Sequence, residues 1–294
     1  MPLSRCLPAA LLLAGASAAL GGQGTTAASW DSVAAILKAP TTVTDGYQRY
    51  NLPRRDVTLH VGDLAVSPSL GLGTWAGFGG PPQDATMMGD LVVLSSELKR
   101  VLAEFSRQDI DVAAIHNHLA GEEPSVRNVH FHARGRATDL AARLDRVIAV
   151  TATPRPVASA APRPATFDTA TVFRTLGTSG RAQGDIAQVS YTLVSQTITA
   201  HGHAVLPAFS TRSPVSIQMV DSARAVATGD FAVLGAQVDS VLDVLASNGI
   251  TATAVHSHLI AEEPTLYYIH FWADGRPAEV LRGLRAAADA GRSR

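Results

Sequence analysis

A chain of 294 residues, 46% hydrophobic and 17% charged, carries enough apolar material for one large or two medium domains and is neither disordered nor fibrous in composition. A formal net charge of -1 supplies no basic field for nucleic acid and no polybasic patch for a membrane surface. With one cysteine, an intramolecular disulfide framework is excluded, and any metal site must draw on histidine, carboxylate and backbone.

The first element reads as an export signal over 1–18. Arg5 is the positive head, "CLPAALLLAGASAAL" from Cys6 to Leu20 is a short apolar run, and Ala16-Ser17-Ala18 is a small-x-small cleavage site. That run is too short, and too interrupted by Pro8 and Gly15, for a membrane-spanning helix. The expectation is an exported protein, periplasmic or secreted, with no integral membrane segment once the signal is removed. Cys6 stands at the start of the apolar run, behind Arg5, instead of following it, so lipid attachment is not expected.

Beyond the signal, "DVTLHVGDLAV" and "GLGTWAGF" read as extended segments. "GLGTWAGFGG" (71–80) lacks the lysine of a phosphate loop, which leaves a tight turn with Trp75 and Phe78 in the core. "ATMMGDLVVL" (85–94) is an apolar strand; Asp90, and Asp230 in the corresponding later run, each follow a glycine and read as turn residues first, with support of a metal ligand as the alternative. Ser95 or Ser96 then caps a helix whose Leu98, Val101, Leu102 and Phe105 fall at i, i+3, i+4 and i+7. "VAAIHNHL" (112–119) and "VRNVHFHA" (126–133) read as two more strands, followed by a helix carrying Leu140, Leu144 and Val147.

This order recurs. At an offset of 140, twelve of 26 positions are identical between 111–136 and 251–276, and "GDLVVL" at 89 returns as "GDFAVL" at 229. The helix stripes return as Val238, Val241, Leu242, Leu245 and as Val280, Leu284, Ala287. "TATPRPVASAAPRPAT" (151–166), with four prolines, is a linker between copy one (30–150) and copy two (167–291). Strand, helix, strand, strand, helix predicts an α+β fold in each copy: a largely antiparallel sheet with helices on one face, the two copies packing on each other.

"HNHLAGEEP" (116–124) and "HSHLIAEEP" (256–264) carry the candidate chemistry. Alternation along a strand puts His116 and His118 on one face, and His130 and His132 on one face of the next strand. A hairpin of summed register 248 sets His118 opposite His130 and His116 opposite His132. Copy two supplies His256, His258 and His270, with Trp272 in place of a fourth histidine. Converging imidazoles point to a divalent metal, zinc first, or to a small ligand. Glu122, Glu123, Glu262 and Glu263 are candidates to orient an imidazole or act as base toward metal-bound water, Glu122 and Glu262 having the better spacing. Two alternatives stay open: a metal-dependent hydrolase using such a base, and a ligand-free structural pseudo-dimer in which the histidines face solvent. His60, His201 and His203 read as surface residues.

The doubled "HNHLxxEEPxxxxxHF" block, with "MGDLVVL" or "TGDFAVL" some 25 residues ahead and a signal sequence in front, resembles the LppY/LpqO family of exported bacterial proteins. The likeness covers nearly the whole chain after the signal. It implies export and duplication, and it brings no established reaction.

Overall fold

The computed structural model describes residues 29–292 apart from 45, 156–160, 162 and 201; the export segment, Cys6 and His201 lie outside the described residues. Copy one runs α1 (Trp30–Leu37), β1 (Thr41–Thr44), β2 (Tyr47–Asn51), β3 (Leu59–Val61), β4 (Leu64–Val66), α2 (Pro68–Gly71), β5 (Trp75–Gly79), β6 (Ala85–Leu94), α3 (Leu98–Arg107), β7 (Asp111–His116), β8 (Glu122–Glu123), β9 (Val126–Gly135) and α4 (Ala137–Ala149). Copy two runs α5 (Thr169–Leu176), β10 (Gly180–Gln183), β11 (Ile186–Thr192), β12 (Thr199–Ala200), β13 (His203–Ala204), β14 (Arg212–Met219), β15 (Ala225–Leu234), α6 (Val238–Ser247), β16 (Thr251–His256), β17 (Glu262–Glu263), β18 (Leu266–Gly275) and α7 (Pro277–Ala290).

Each copy is α+β, as the periodicity predicts. Its sheet has six antiparallel strands, in the order β1-β2-β5-β6-β9-β7 in copy one and β10-β11-β14-β15-β18-β16 in copy two. Alternation divides the long central strands. Met87, Leu91 and Val93 of β6, with Val129 and Phe131 of β9, face the helices and pack on Val101, Phe105, Leu140 and Leu144. On the other face of the same strands stand Met88, Asp90, Val92, Asn128, His130 and His132.

That second face is covered by copy two. Val92, Leu119 and Val126 pack with Ile186, Val226 and Trp272. At the other end Tyr47 and Met88 pack with Phe209 and Leu259. The result is helices outside and two sheets face to face within. Burial on both faces explains why "LVVL" and "FAVL" read as continuous apolar runs instead of alternating ones. No helix among the described residues is long and apolar enough to cross a membrane.

Two local expectations change. Glu97, not Ser95 or Ser96, precedes α3; it makes no side-chain cap bond to the helix. Its carboxylate accepts from the Leu94 amide at 2.9 Å and from Arg54 at 2.6 Å. The glycine-rich segment is strand β5 in place of a tight turn, because β2 and β6 pair with it on either side. Phe78 is in the core as expected, while Trp75 is half-buried with the Arg49 guanidinium 4.2 Å over its ring.

Candidate metal centre between the two copies

Three strands in each sheet place the histidines. Asp90 of β6 pairs directly with His130 of β9, and Asp230 of β15 with His270 of β18. His116 ends β7 opposite Asn128, and His256 ends β16 opposite Tyr268. His118 and His258 follow two residues later, where the chain has left the sheet.

The strand pairing differs from the predicted register. His116 pairs with Asn128 and Ala114 with His130, a sum of 244 instead of 248, with a bulge between Val112 and Ala114. The cause is the connection. Residues after His118 do not turn straight back: Glu122 and Glu123 form β8, which pairs with Val61 and His60 of β3 before the chain enters β9.

His132 therefore stands apart from the other imidazoles. It shares a face with His130 but pairs with Asp111, its Nδ1 lying 3.8 Å from that carboxylate. Trp272 thus does not replace a member of the cluster.

The other six histidines meet across the interface. Ring centroids are 4.3 Å apart for His116 and His256, 4.3 Å for His116 and His270, 4.6 Å for His118 and His270, and 3.9 Å for His130 and His258. His116, His130, His256 and His270 each offer a ring nitrogen, all within 4.8 Å of one another. Asp90 with His116 and His118, and Asp230 with His258 and His270, form flanking groups within the same limit. Ligand atoms around a tetrahedral ion with bonds near 2.0–2.1 Å stand about 3.4 Å apart, so modest side-chain contraction closes such a set.

Hydrogen bonding leaves those nitrogens available. His130 Nδ1 lies 3.3 Å from the Gly89 carbonyl and His256 Nδ1 lies 3.0 Å from the Ser257 carbonyl, contacts that direct Nε2 inward as the lone-pair nitrogen. The Nε2 atoms of His116, His118, His130, His256, His258 and His270 are buried with no hydrogen-bond partner. A buried polar atom left unsatisfied costs roughly 1–3 kcal/mol, so six together are difficult to account for as packing alone.

Burial dominates the electrostatics. It pushes the His118 imidazole down to about 4, against the pull of Asp90, and His130 down to about 3, with His256 adding to the fall. His116, His258 and His270 are driven well below the ordinary histidine value by burial and by one another. All are neutral, the ligating form, at neutral pH. Burial likewise raises the Asp90 carboxyl, opposed by His118 and by a 2.9 Å bond from Asn128 Nδ2. Asp230 is raised well above the ordinary range by burial and by the nearby Asp90.

For these aspartates the favoured turn reading gives way to the alternative of a place beside the metal ligands. They sit mid-strand and are 4% and 7% exposed, not at turns. The glycine before Asp90 serves packing: a Cβ at Gly89 would come within 2.4 Å of the Phe131 ring and 2.3 Å of the Trp75 carbonyl. The usable signal was the central place of each aspartate in a run buried on both faces.

The glutamates go elsewhere. Glu122 and Glu262 are buried, but each turns back on its own loop, accepting from the Val126 amide at 3.4 Å and the Leu266 amide at 3.0 Å. Burial raises Glu262 to about 7. Glu123 and Glu263 are exposed on short edge strands, each preceding a cis proline bond. None of the four belongs to the converging metal-ligand groups. His60 and His203 are exposed.

Residues 31–150 and 170–290 each match the family described as Domain of Unknown Function (DUF1259). No curated protein matches the chain. The chain belongs to the DUF1259 family and carries its domain in two tandem copies.

Proposed function

We propose that this protein binds a transition-metal ion, zinc first, at the histidine cluster shared by its two copies. The observation that carries the reading is the set of six buried Nε2 atoms without a hydrogen bond, drawn three from each copy, of which His118 Nε2 lies 3.6 Å from the Asp90 carboxylate. Neutral nitrogen donors flanked by carboxylate suit zinc, and also nickel or copper(II). His116, His130, His256 and His270 are the central ligand set, with Asp90 and Asp230 at its ends.

Binding is favoured over hydrolysis because the glutamates expected to act as bases are engaged with their own loops. A ligand-free pseudo-dimer is disfavoured by the cost of the unpartnered imidazoles. The doubled His-Leu-x-x-Glu-Glu-Pro block and its likeness to LppY/LpqO proteins, together with Arg5 and Ala16-Ser17-Ala18, support an exported, periplasmic or secreted, setting.

Metal analysis of protein purified without a histidine tag tests the reading. About one equivalent or more of a transition metal is expected; less than about one tenth of an equivalent, after supply of zinc and removal of excess, overturns it.

A further inference from the structure

The two ends of the interface are built from corresponding positions and closed differently. One step along the sheet from Asp230 and His270, Thr228 pairs with Trp272. Trp272 is buried against Leu119, Val226 and Ile186 and fills that end. The Thr228 hydroxyl donates to the His118 carbonyl at 3.1 Å, and Thr253 donates to the Asn117 and His118 carbonyls at 3.2 and 3.3 Å.

At the other end the corresponding residues are Met88, His132 and Ala113, at an offset of 140. Met88 pairs with His132 one step from Asp90 and His130, about 7 Å along the strands. Neither Met88 nor Ala113 has a hydroxyl to donate to the copy-two loop, and an imidazole stands where the other end has an indole. A cavity of ≈ 450 Å³ opens there between the copies. That volume lies within the range of small-molecule sites.

Its lining specifies a chemistry. Met88, Leu206, Phe209 and Leu259 form an apolar floor. At the mouth Arg134 is closed on Asp84 by two bonds of 3.0 and 2.7 Å, and the Asp111 carboxylate faces His132. The lining carries two carboxylates and one guanidinium already committed to Asp84, with the imidazoles of His132 and His203 beside them; that balance opposes an anion, and the apolar floor opposes a desolvated cation. We infer that this cavity binds a small, uncharged, largely apolar organic molecule with one hydrogen-bonding group, seated beside His132. The site adjoins the histidine cluster and does not depend on metal being bound.

The test uses untagged protein carrying ¹³C-methyl methionine, titrated with benzyl alcohol and, separately, with benzoate of nearly the same shape. Benzyl alcohol is expected to shift the Met88 methyl saturably, leaving Met87 on the helix side of the sheet and Met219 in copy two in place. Benzoate is expected to bind at least about tenfold more weakly. His132→Trp, which introduces the residue of the closed end, is expected to abolish the Met88 shift without changing metal content. No saturable Met88 shift, a response at Met219 in its place, equal binding of benzoate, or a folded His132→Trp protein that still binds would each overturn the inference. If that variant does not fold, the Met88 response and the benzyl alcohol to benzoate ratio of the unaltered protein decide the question. A protein found to hold no metal would defeat the metal reading alone, since the methyl titration is read separately.

Discussion

In copy one, Asn128 donates to Asp90; at the matching place in copy two, Tyr268 stacks on His258 with centroids 3.3 Å apart and donates its hydroxyl to the Ser210 carbonyl at 2.5 Å. Both arrangements brace one end of the same histidine cluster, one by hydrogen bonding the carboxylate and the other by packing the imidazole. Outside the cluster the halves diverge further. Copy one holds a buried Arg54–Glu97 ion pair, with exposed Asp56 closing on the same guanidinium, whereas the residue matching Glu97 is Gln237, whose buried Oε1 has no hydrogen-bond partner. The lesson is that the paired ligands form one shared site, while the supporting structure in each copy is separate and can be tested separately.

The largest effect should come from breaking the sharing itself. If the ion is held jointly, His116→Ala and His256→Ala each lower metal affinity by more than the roughly 10- to 100-fold that loss of an outer hydrogen-bond partner costs. Competition with a chromophoric chelator measures both. A His256→Ala protein that binds metal as well as the unaltered chain would reduce the site to copy one.

A second effect concerns stability and should be confined to copy one. Arg54 is fully buried and reaches Glu97 at 2.6 Å and Asp56 at 2.8 Å. Burial alone would raise Glu97, but the Leu94 amide, Arg54 and the Ala152 amide outweigh it and hold the carboxyl below its ordinary value. Arg54→Met leaves that carboxylate buried with only the half-exposed Arg100, 3.3 Å away, as its cation, and urea unfolding at neutral pH should show a loss of about 3 kcal/mol, the low end for a broken buried pair. The sign with pH follows from the depressed value. The contribution of Glu97 is present above the ordinary glutamate pKa and is lost as pH falls through the lowered one, so the deficit of the variant narrows in acid. An unchanged unfolding midpoint at neutral pH would show the ionic group to be dispensable.

How much of this was legible in the sequence depended on the range of the interaction. The α+β layering, the duplication and the helix stripes follow from local periodicity, and Leu98, Val101, Leu102 and Phe105 do pack as that periodicity implies. The register did not follow, because β8 is drawn away to pair with β3, which lies some 60 residues earlier. The convergence of His116 with His256 was beyond reach for the same reason: each copy's sheet could be inferred, but not which faces oppose. Asp90 looked like a turn residue because Gly-Asp is a turn signal, and here packing of Phe131 overrides it. His132 looked equivalent to His130 because alternation reports the face of a strand and says nothing of position along it.

The smallest effect separates the two loops. The copy-one loop after His116 is anchored across the interface by the Thr228 and Thr253 hydroxyls, whereas the copy-two loop meets Met88 through Leu259, keeps the Ser257 hydroxyl bond to its own Leu266 carbonyl at 2.7 Å, and carries Ala261 at φ 57°, where copy one has Gly121 at φ 74°. An L-residue in the left-handed region costs roughly 1–2 kcal/mol, so strain and the missing anchors act in the same direction. Amide hydrogen exchange should therefore be slower over 117–120 than over 257–260 in the unaltered protein. Thr228→Val removes one anchor without much change of shape and should cost about 1 kcal/mol, raising exchange at 118–120 toward that of the copy-two loop. Because Thr253 donates to the same His118 carbonyl, each single replacement leaves that carbonyl one hydroxyl, and the double replacement, which leaves it neither, should cost more than the sum of the two single losses. Additive losses would mean that the hydroxyls act independently. Equal exchange in the two loops would mean that their unequal anchoring has no energetic consequence.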